Sequence, residues 1–264
     1  MHWFVFAWSA LAVAAVMLTT WLVSLPLRNA SIVDPVWSLG FVVIGWVSAF
    51  AGHGDRLRVG VLLVFVSIWG LRLSWHLFTR NRGHGEDFRY GAMRAHWGDR
   101  FWLVSLGTVF LFQGVLMWIV SLPLQFGAGI GGRTASWPVF LALGALVWAI
   151  GFGFESFGDA QLKAFRADPD SAGQVMDRGL WRYTRHPNYF GDACVWWGIF
   201  LVSVGAGGWA WAGVVGPMVM TTLLRRVSGV TLLERSLVRR RPGYVDYVAR
   251  TSPFFPRPPR APRT

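Results

Sequence analysis

Apolar residues run along this chain in blocks longer than the stripe of an ordinary soluble helix. A membrane span takes about 20 mostly apolar residues. Seven windows meet or approach that length: 2–27, 36–51, 57–79, 101–124, 137–158, 190–206 and 209–224. The second is short, and the last two are parted only by Ala206-Gly207-Gly208, which predicts a tight helical hairpin. The first window has no basic stretch before it and continues through Trp21 and Leu22, so it reads as a retained helix and not a cleaved leader. No window repeats another in the inverted manner of transporters. The pattern predicts an all-α polytopic membrane protein with seven transmembrane helices. It would form one domain over 1–256, with a cofactor-binding half at 150–256, and a disordered Pro/Arg-rich tail at 257–264.

Composition sharpens this picture. Of 264 residues, 54% are hydrophobic and only 14% charged, with a mean hydropathy of +0.42. Soluble domains carry roughly 25% charged residues. Seventeen Trp and 31 Gly fit membrane spans, where both are enriched. The single Cys excludes a disulfide framework, and the six His lack ligand spacing, so no metal is expected.

The net charge is +12, and only one of the 25 cations is Lys. With seven spans, Arg56, Arg58 and Arg133 fall on the N-terminal side and Arg72 inside a span, while every other cation falls on the opposite side. Cationic loops stay cytoplasmic, which puts the N-terminus outside and the C-terminus in the cytosol. The cations then belong to a lipid-embedded body, not to a nucleic-acid binder. Arg-rich, Lys-poor usage points to a bacterial source, whose inner membrane would hold the chain.

Four groups of residues could carry chemistry, once a glycine run is set aside. Gly127, Gly129 and Gly132 spell G-x-G-x-x-G, but no strand precedes them, so they are read as a loop and not as a dinucleotide fingerprint. Residues 177–192 gather Trp181, Tyr183, Arg185, His186, Asn188, Tyr189 and Asp192 before the sixth window. They are either an interfacial belt or a grip on a large polar ligand: Arg for phosphates, Tyr and Trp for flat rings, Asn and Asp for ribose hydroxyls. Asp192 favours the grip, because ionisable groups inside spans are costly.

In the fifth window Glu155, Asp159, Lys163 and Arg166 share one helical face. They form either solvated ion pairs or a polar stripe closing the cavity of Asn188 and Asp192. Further on, Glu234, Arg235, Arg239, Tyr244 and Tyr247 suit a basic helix on headgroups, a phosphate-rich ligand, or both. Asp34, followed by Pro35, reads either as a helix N-cap or as a desolvated carboxyl that stays protonated and donates.

Gly179-Leu180-Trp181-Arg182-Tyr183-x-Arg185-His186-Pro187-Asn188-Tyr189-x-Gly191-Asp192 is followed by Ser228-Gly229-Val230-x-x-Leu233-Glu234. Then comes Arg241-Pro242-Gly243-Tyr244-x-x-Tyr247-x-x-Arg250-Thr251-Ser252-x-Phe254-x-Pro256. These stretches resemble the steroid 5-alpha-reductase family, most of all its bacterial branch. The strong match covers 150–256, with fragments such as Asn81-Arg82-Gly83 and Gly85-Glu86-Asp87-x-Arg89-Tyr90 earlier.

The resemblance implies NADPH in a cytosol-facing cavity beside a substrate pocket open to lipid. It matches Glu155, Asp159 and Arg166 to cofactor-binding residues of the fifth helix, and Asn188 and Asp192 to the nicotinamide and ribose side. Tyr183, Arg185 and His186 line the same loop, and Asp34 falls near an acid that contacts the substrate carbonyl. Lys163, Arg166, Arg235 and Arg239 offer cations for a 2′-phosphate. The family's third-helix tyrosine has no counterpart here: Tyr90, Tyr183, Tyr189, Tyr244 and Tyr247 all lie outside the windows.

The expected reaction is hydride transfer from NADPH to a lipophilic enone, of the 3-oxo-Δ4-steroid type, entering from the bilayer of a monomeric protein. Asp34 or Arg72 would polarise the carbonyl. An isoprenylcysteine-type methyltransferase using S-adenosylmethionine is the alternative, because it shares Arg-His-Pro-x-Tyr and Tyr-x-x-Tyr. A non-catalytic lipid-binding or transport protein is a third.

Overall fold

The computed structural model describes residues 3–227 and 243–260. Among them the chain is helical, with a lone parallel bridge between Thr184 and Ser252 and no strand. The helices are α1 (Phe4–Leu27), α2 (Val33–Ala51), α3 (Arg56–Asn81), α4 (Phe88–Trp97), α5 (Phe101–Ser105), α6 (Phe112–Val120), α7 (Leu122–Gly129), α8 (Trp137–Ala167), α9 (Pro187–Val204), α10 (Val215–Thr222) and α11 (Tyr244–Arg250). Five stretches are long and apolar enough to cross a membrane: Phe4–Leu27, Ala30–Ala51, Arg56–Asn81, Phe88–Val120 and Trp137–Ala167. Large apolar side chains on them, among them Trp8, Phe50, Val64, Phe112 and Leu146, are exposed. So much bare apolar surface is a surface for lipid.

The fourth stretch is not one rod. Gln113 donates to the Tyr90 hydroxyl at 3.3 Å although the two lie 23 residues apart, which a straight helix would separate by about 35 Å. The chain turns back at Gly98, whose φ of 53° caps α4 in a region that disfavours side chains. Arg94 lies over the Phe101 ring across that turn. A π segment, Leu106–Leu111, then joins α5 to α6.

The last two windows also differ from expectation. α9 is sheathed by protein, with Val195, Trp196, Ile199, Phe200 and Val202 all buried. Window 209–224 is composite: a 3-10 turn Gly208–Val214, then α10, then a π turn Leu223–Val227. Gly213, Gly216 and Pro217 are poor helix formers and explain the irregularity.

The chain separates into two compact units, residues 1–141 with 199–216, and residues 142–198 with 217–264. In the first unit small residues let helices close up. Gly40 faces the Met117 thioether, and Gly70 abuts the Ser38 carbonyl. Arg58 is fully buried on α3, and its guanidinium donates to the carbonyls of Gly127, Ile130 and Gly132. The glycine run expected as a loop is therefore the end of α7 plus its cap. Its role is to present carbonyls to an arginine.

The second unit is built on a seam of glycines spaced by seven. Gly144, Gly151 and Gly158 on α8 meet Gly198, Gly191 and Pro187 of α9. A Cβ on Gly151 would lie 2.6 Å from the Gly191 carbonyl oxygen, and one on Gly191 would lie 2.4 Å from the Glu155 nitrogen. The C-terminal segment is laced to the loop before α9. Arg185 N donates to Ser252 O at 2.9 Å, and the Thr184 hydroxyl donates to Phe254 O at 2.8 Å. Phe254 packs with Ala193, Tyr189, Phe190 and Leu224. Arg257 and Arg260, expected in a disordered tail, donate their backbone N–H to Tyr183 and Arg250.

The seam gives a direct test. Gly191→Ala places a methyl against backbone that cannot yield and should destabilise by ~1–3 kcal/mol, read as a lower thermal midpoint in detergent. Gly153→Ala, facing open space on α8, should leave the midpoint in place. Equal midpoints for both variants would refute close backbone contact at the seam.

Candidate functional site

The glycine seam brings four polar residues of the second unit together. Glu155 and Asp159 lie one turn apart on α8, at 2% and 7% exposure, which removes the solvated ion-pair reading for both. Asn188 and Asp192 lie one turn apart on α9, and Asp192 is buried. Asn188 donates from Nδ2 to Asp159 Oδ1 at 3.2 Å. Its own Oδ1 is buried and meets no hydrogen-bond partner among the described residues. A buried amide oxygen left in that state costs about 1–3 kcal/mol, so it marks a place where a donor from outside would be welcome. Lys163 and Arg166 continue the stripe on α8 but are exposed.

The loop before α9 supplies walls. Trp181 is buried and donates its indole N–H to Gly158 O at 3.0 Å. Tyr247 donates its hydroxyl to Trp181 O at 2.5 Å, and Tyr244 packs edge-on against it. Arg185 Nη1 donates to Val248 O at 3.0 Å and to Thr251 O at 2.6 Å. Arg185 and Tyr247, expected from the sequence to face a ligand, hold the C-terminal segment against the loop through those contacts, and the Trp181 indole, expected to do the same, pins the loop to α8. His186 is buried and stacks on the half-buried Tyr189 ring, while Tyr183 is exposed. Glu234, Arg235 and Arg239 lie outside the described residues.

A second cluster sits in the first unit, around Asp34. Asp34 is not an N-cap: α2 follows directly on a 3-10 turn, Ala30–Ile32, which is capped by Asn29, whose side chain accepts from Ser31 N at 2.9 Å. α2 begins at Val33, so Asp34 is already within it. There it accepts from the buried Tyr90 hydroxyl at 2.8 Å and from Arg89 Nη2 at 3.0 Å. Gln113, just beyond the π segment, completes the set by donating to Tyr90; such segments often occur at functional sites. Arg72 is half-buried on α3.

Sequence reasoning set Tyr90 aside because it lies outside every window. Docking of the segment before it onto Ala30 and Ser31 sets it beside α2, and the turn at Gly98 returns Gln113 to it. The signal that could have found it is the stretch Glu86-Asp87-Phe88-Arg89-Tyr90, which docks as a block. Ala30 N donates to Glu86 at 2.7 Å, Asp87 N donates to the Ser31 hydroxyl at 2.6 Å, and Arg94 forks onto Glu86 with two bonds of 2.8 Å.

Residues 20–251 match the family described as "Protein of unknown function (DUF1295)". An uncharacterised protein of Schizosaccharomyces pombe is 24% identical over 273 residues, covering 90% of this chain and 75% of its own length. No solved structure matches.

The docking block carries a pH dependence. Burial pushes the Glu86 carboxyl up, but the bonds from Arg94 and Ala30 outweigh it and hold the group below its ordinary value of 4.5. Asp87 is held low in the same way by Arg89. A carboxyl with a depressed folded-state pKa stabilises the fold above its unfolded pKa. That contribution is lost as pH falls through the folded value. Thermal stability should therefore be level near neutrality and drop in the acid range below the ordinary Glu value. Glu86→Gln should flatten part of that drop, and an unchanged acid slope in the variant would contradict the account.

Proposed function

The chain belongs to the DUF1295 family of proteins of unknown function, and we propose that this member is a membrane-embedded, NADPH-dependent reductase of lipophilic enones. In this reading it is kin to the steroid 5-alpha-reductases. The chain crosses a bacterial inner membrane seven times, N-terminus outside and C-terminus in the cytosol, and acts as a monomer on a substrate drawn from the bilayer, a 3-oxo-Δ4-steroid or a molecule like it.

The observation that carries the reading is the Tyr90 hydroxyl held between Asp34 and Gln113. Reducing a C=C by hydride requires conjugation to a carbonyl, with a hydrogen-bond donor where enolate charge develops. Tyr90 has a single O–H. When it turns from Asp34 toward a carbonyl, the Arg89 guanidinium still satisfies the Asp34 carboxylate. Asp34 thereby becomes the group that orients the donor and Tyr90 the donor itself, a change from the expected pairing of Asp34 and Arg72.

The second unit fits a nicotinamide nucleotide. Asn188 Oδ1, without a hydrogen-bond partner among the described residues, can accept from a carboxamide N–H, and Glu155, Asp159 and Asp192 are acceptors for ribose hydroxyls. Lys163 and Arg166, exposed further along α8, suit phosphate oxygens. Bound NADPH would supply the hydride; the chain's part is to bind, orient and donate. The motifs shared with isoprenylcysteine-type methyltransferases do not favour methyl transfer here. Arg185 and Tyr247 brace the C-terminal segment, a task both families can share without sharing chemistry.

The nucleotide that accompanies the detergent-purified protein, identified by mass spectrometry, should be NADP(H). S-adenosyl compounds would transfer the assignment to the methyltransferase class. With NADPH and an enone, Tyr90→Phe should slow single-turnover hydride transfer by about 10²-fold or more while nucleotide affinity holds. A normal rate would remove Tyr90 from the chemistry. Asn188→Ala should weaken NADPH binding by about tenfold in a folded protein, and unaltered affinity would exclude Asn188 from the site.

A further inference from the structure

The second unit contains an open cleft of about 640 Å³ that the reductase reading does not use. It lies between the turn that carries Asp177, Arg178 and Arg182 and the segment that carries Arg250 and Arg260. Four guanidinium groups line it against one carboxylate, and that carboxylate already accepts from Arg250 at 2.7 Å. Arg178 reaches the Gln174 amide oxygen at 3.4 Å. The exposed side chains of Arg182 and Arg260 meet no hydrogen-bond or ion-pair partner among the described residues.

This crowding is imposed by the backbone. Arg260 N donates to Arg250 O at 2.9 Å and Arg257 N donates to Tyr183 O at 3.0 Å, which ties the arginine-bearing segment across the turn. Like charges held at one opening repel, and among the described residues no carboxylate pairs with Arg182 or Arg260.

We propose that this cleft binds a phosphate-class anion, a phosphomonoester or diphosphate group, through Arg182 and Arg260 with Arg178 and Arg250 behind them. Guanidinium forks match tetrahedral oxyanions two oxygens at a time, and the cleft is large enough for more than one phosphoryl group. An anionic lipid headgroup and a free polyphosphate present the same chemistry. The proposal does not depend on the reductase reading. It stands or falls with these arginines, whichever nucleotide the acid and amide cluster takes.

The test uses the full chain in neutral detergent and inorganic pyrophosphate as the titrant, with binding read calorimetrically. Wild type should bind, and Arg182→Gln with Arg260→Gln together should lose about tenfold or more in affinity. Arg257→Gln, on the same segment but outside the cleft lining, should bind as wild type does. That control separates a built site from the general attraction of a +12 chain. Neither cleft arginine has a described partner to lose, so the double variant should keep its thermal midpoint. Should it unfold, Arg182→Lys keeps the charge without the fork and should still weaken binding.

Repeating the titration in nanodiscs of phosphatidylcholine, with or without phosphatidylglycerol, identifies the source. Competition by the anionic lipid assigns the cleft to headgroups, and no competition assigns it to a soluble phosphate. Absence of pyrophosphate binding in wild type together with no preference for phosphatidylglycerol overturns the proposal. So does an equal loss in Arg257→Gln.

Discussion

A polar group placed among apolar helices has no water to turn to, and it must be satisfied by the chain itself. The contacts that organise both units are answers to that constraint. Arg58, fully buried, spends its guanidinium on three carbonyls at and just past the end of α7. Arg185 spends its own on Val248 and Thr251, and the Trp181 indole finds Gly158. Each bond joins positions far apart in the chain, so satisfying the group also sets which elements lie side by side. Deleting one of these side chains would leave buried carbonyls unpaired, at about 1–3 kcal/mol each.

Backbone proximity performs the complementary task between α8 and α9. Seven-residue glycine spacing removes side chains along one line of each helix, and the two main chains come into contact there. Residues flanking that line are then forced toward one another. Glu155 and Asp159 follow Gly151 on α8, while Asn188 and Asp192 bracket Gly191 on α9. The acid and amide cluster is thus a consequence of glycine placement as much as of the polar residues themselves.

Much of the architecture was legible because it is local. Long apolar windows specify lipid-facing helices by length and composition alone, and the windows at 2–27, 36–51, 57–79, 101–124 and 137–158 correspond to helical stretches apolar enough to cross. The Asn188–Asp159 bond was foreseeable in kind, because an acidic stripe and a polar turn before an apolar helix both need burial partners. Irregular segments were less legible. Window 209–224 has the hydropathy of a span, yet its glycines and Pro217 break it into 3-10, α and π turns. Hydropathy does not register those backbone preferences.

By itself the sequence determined a helical, lipid-suited chain, an excess of arginine over acids, and the stretches in which chemistry would be sought. Hydrophobic run length and residue type suffice for these, since each is settled within a turn or two of helix. Tertiary structure alone decided what the residues do there. It set Tyr90 against Asp34 by docking Glu86 and Asp87 on residues 30 and 31, and it made the glycines at 127 and 132 receptors for Arg58. It also converted Trp181, Arg185 and Tyr247 into braces. The physical reason is the same in every case. A buried donor is claimed by whichever acceptor the fold brings within about 3 Å, and for these donors that acceptor lies from 23 to 74 residues away along the chain.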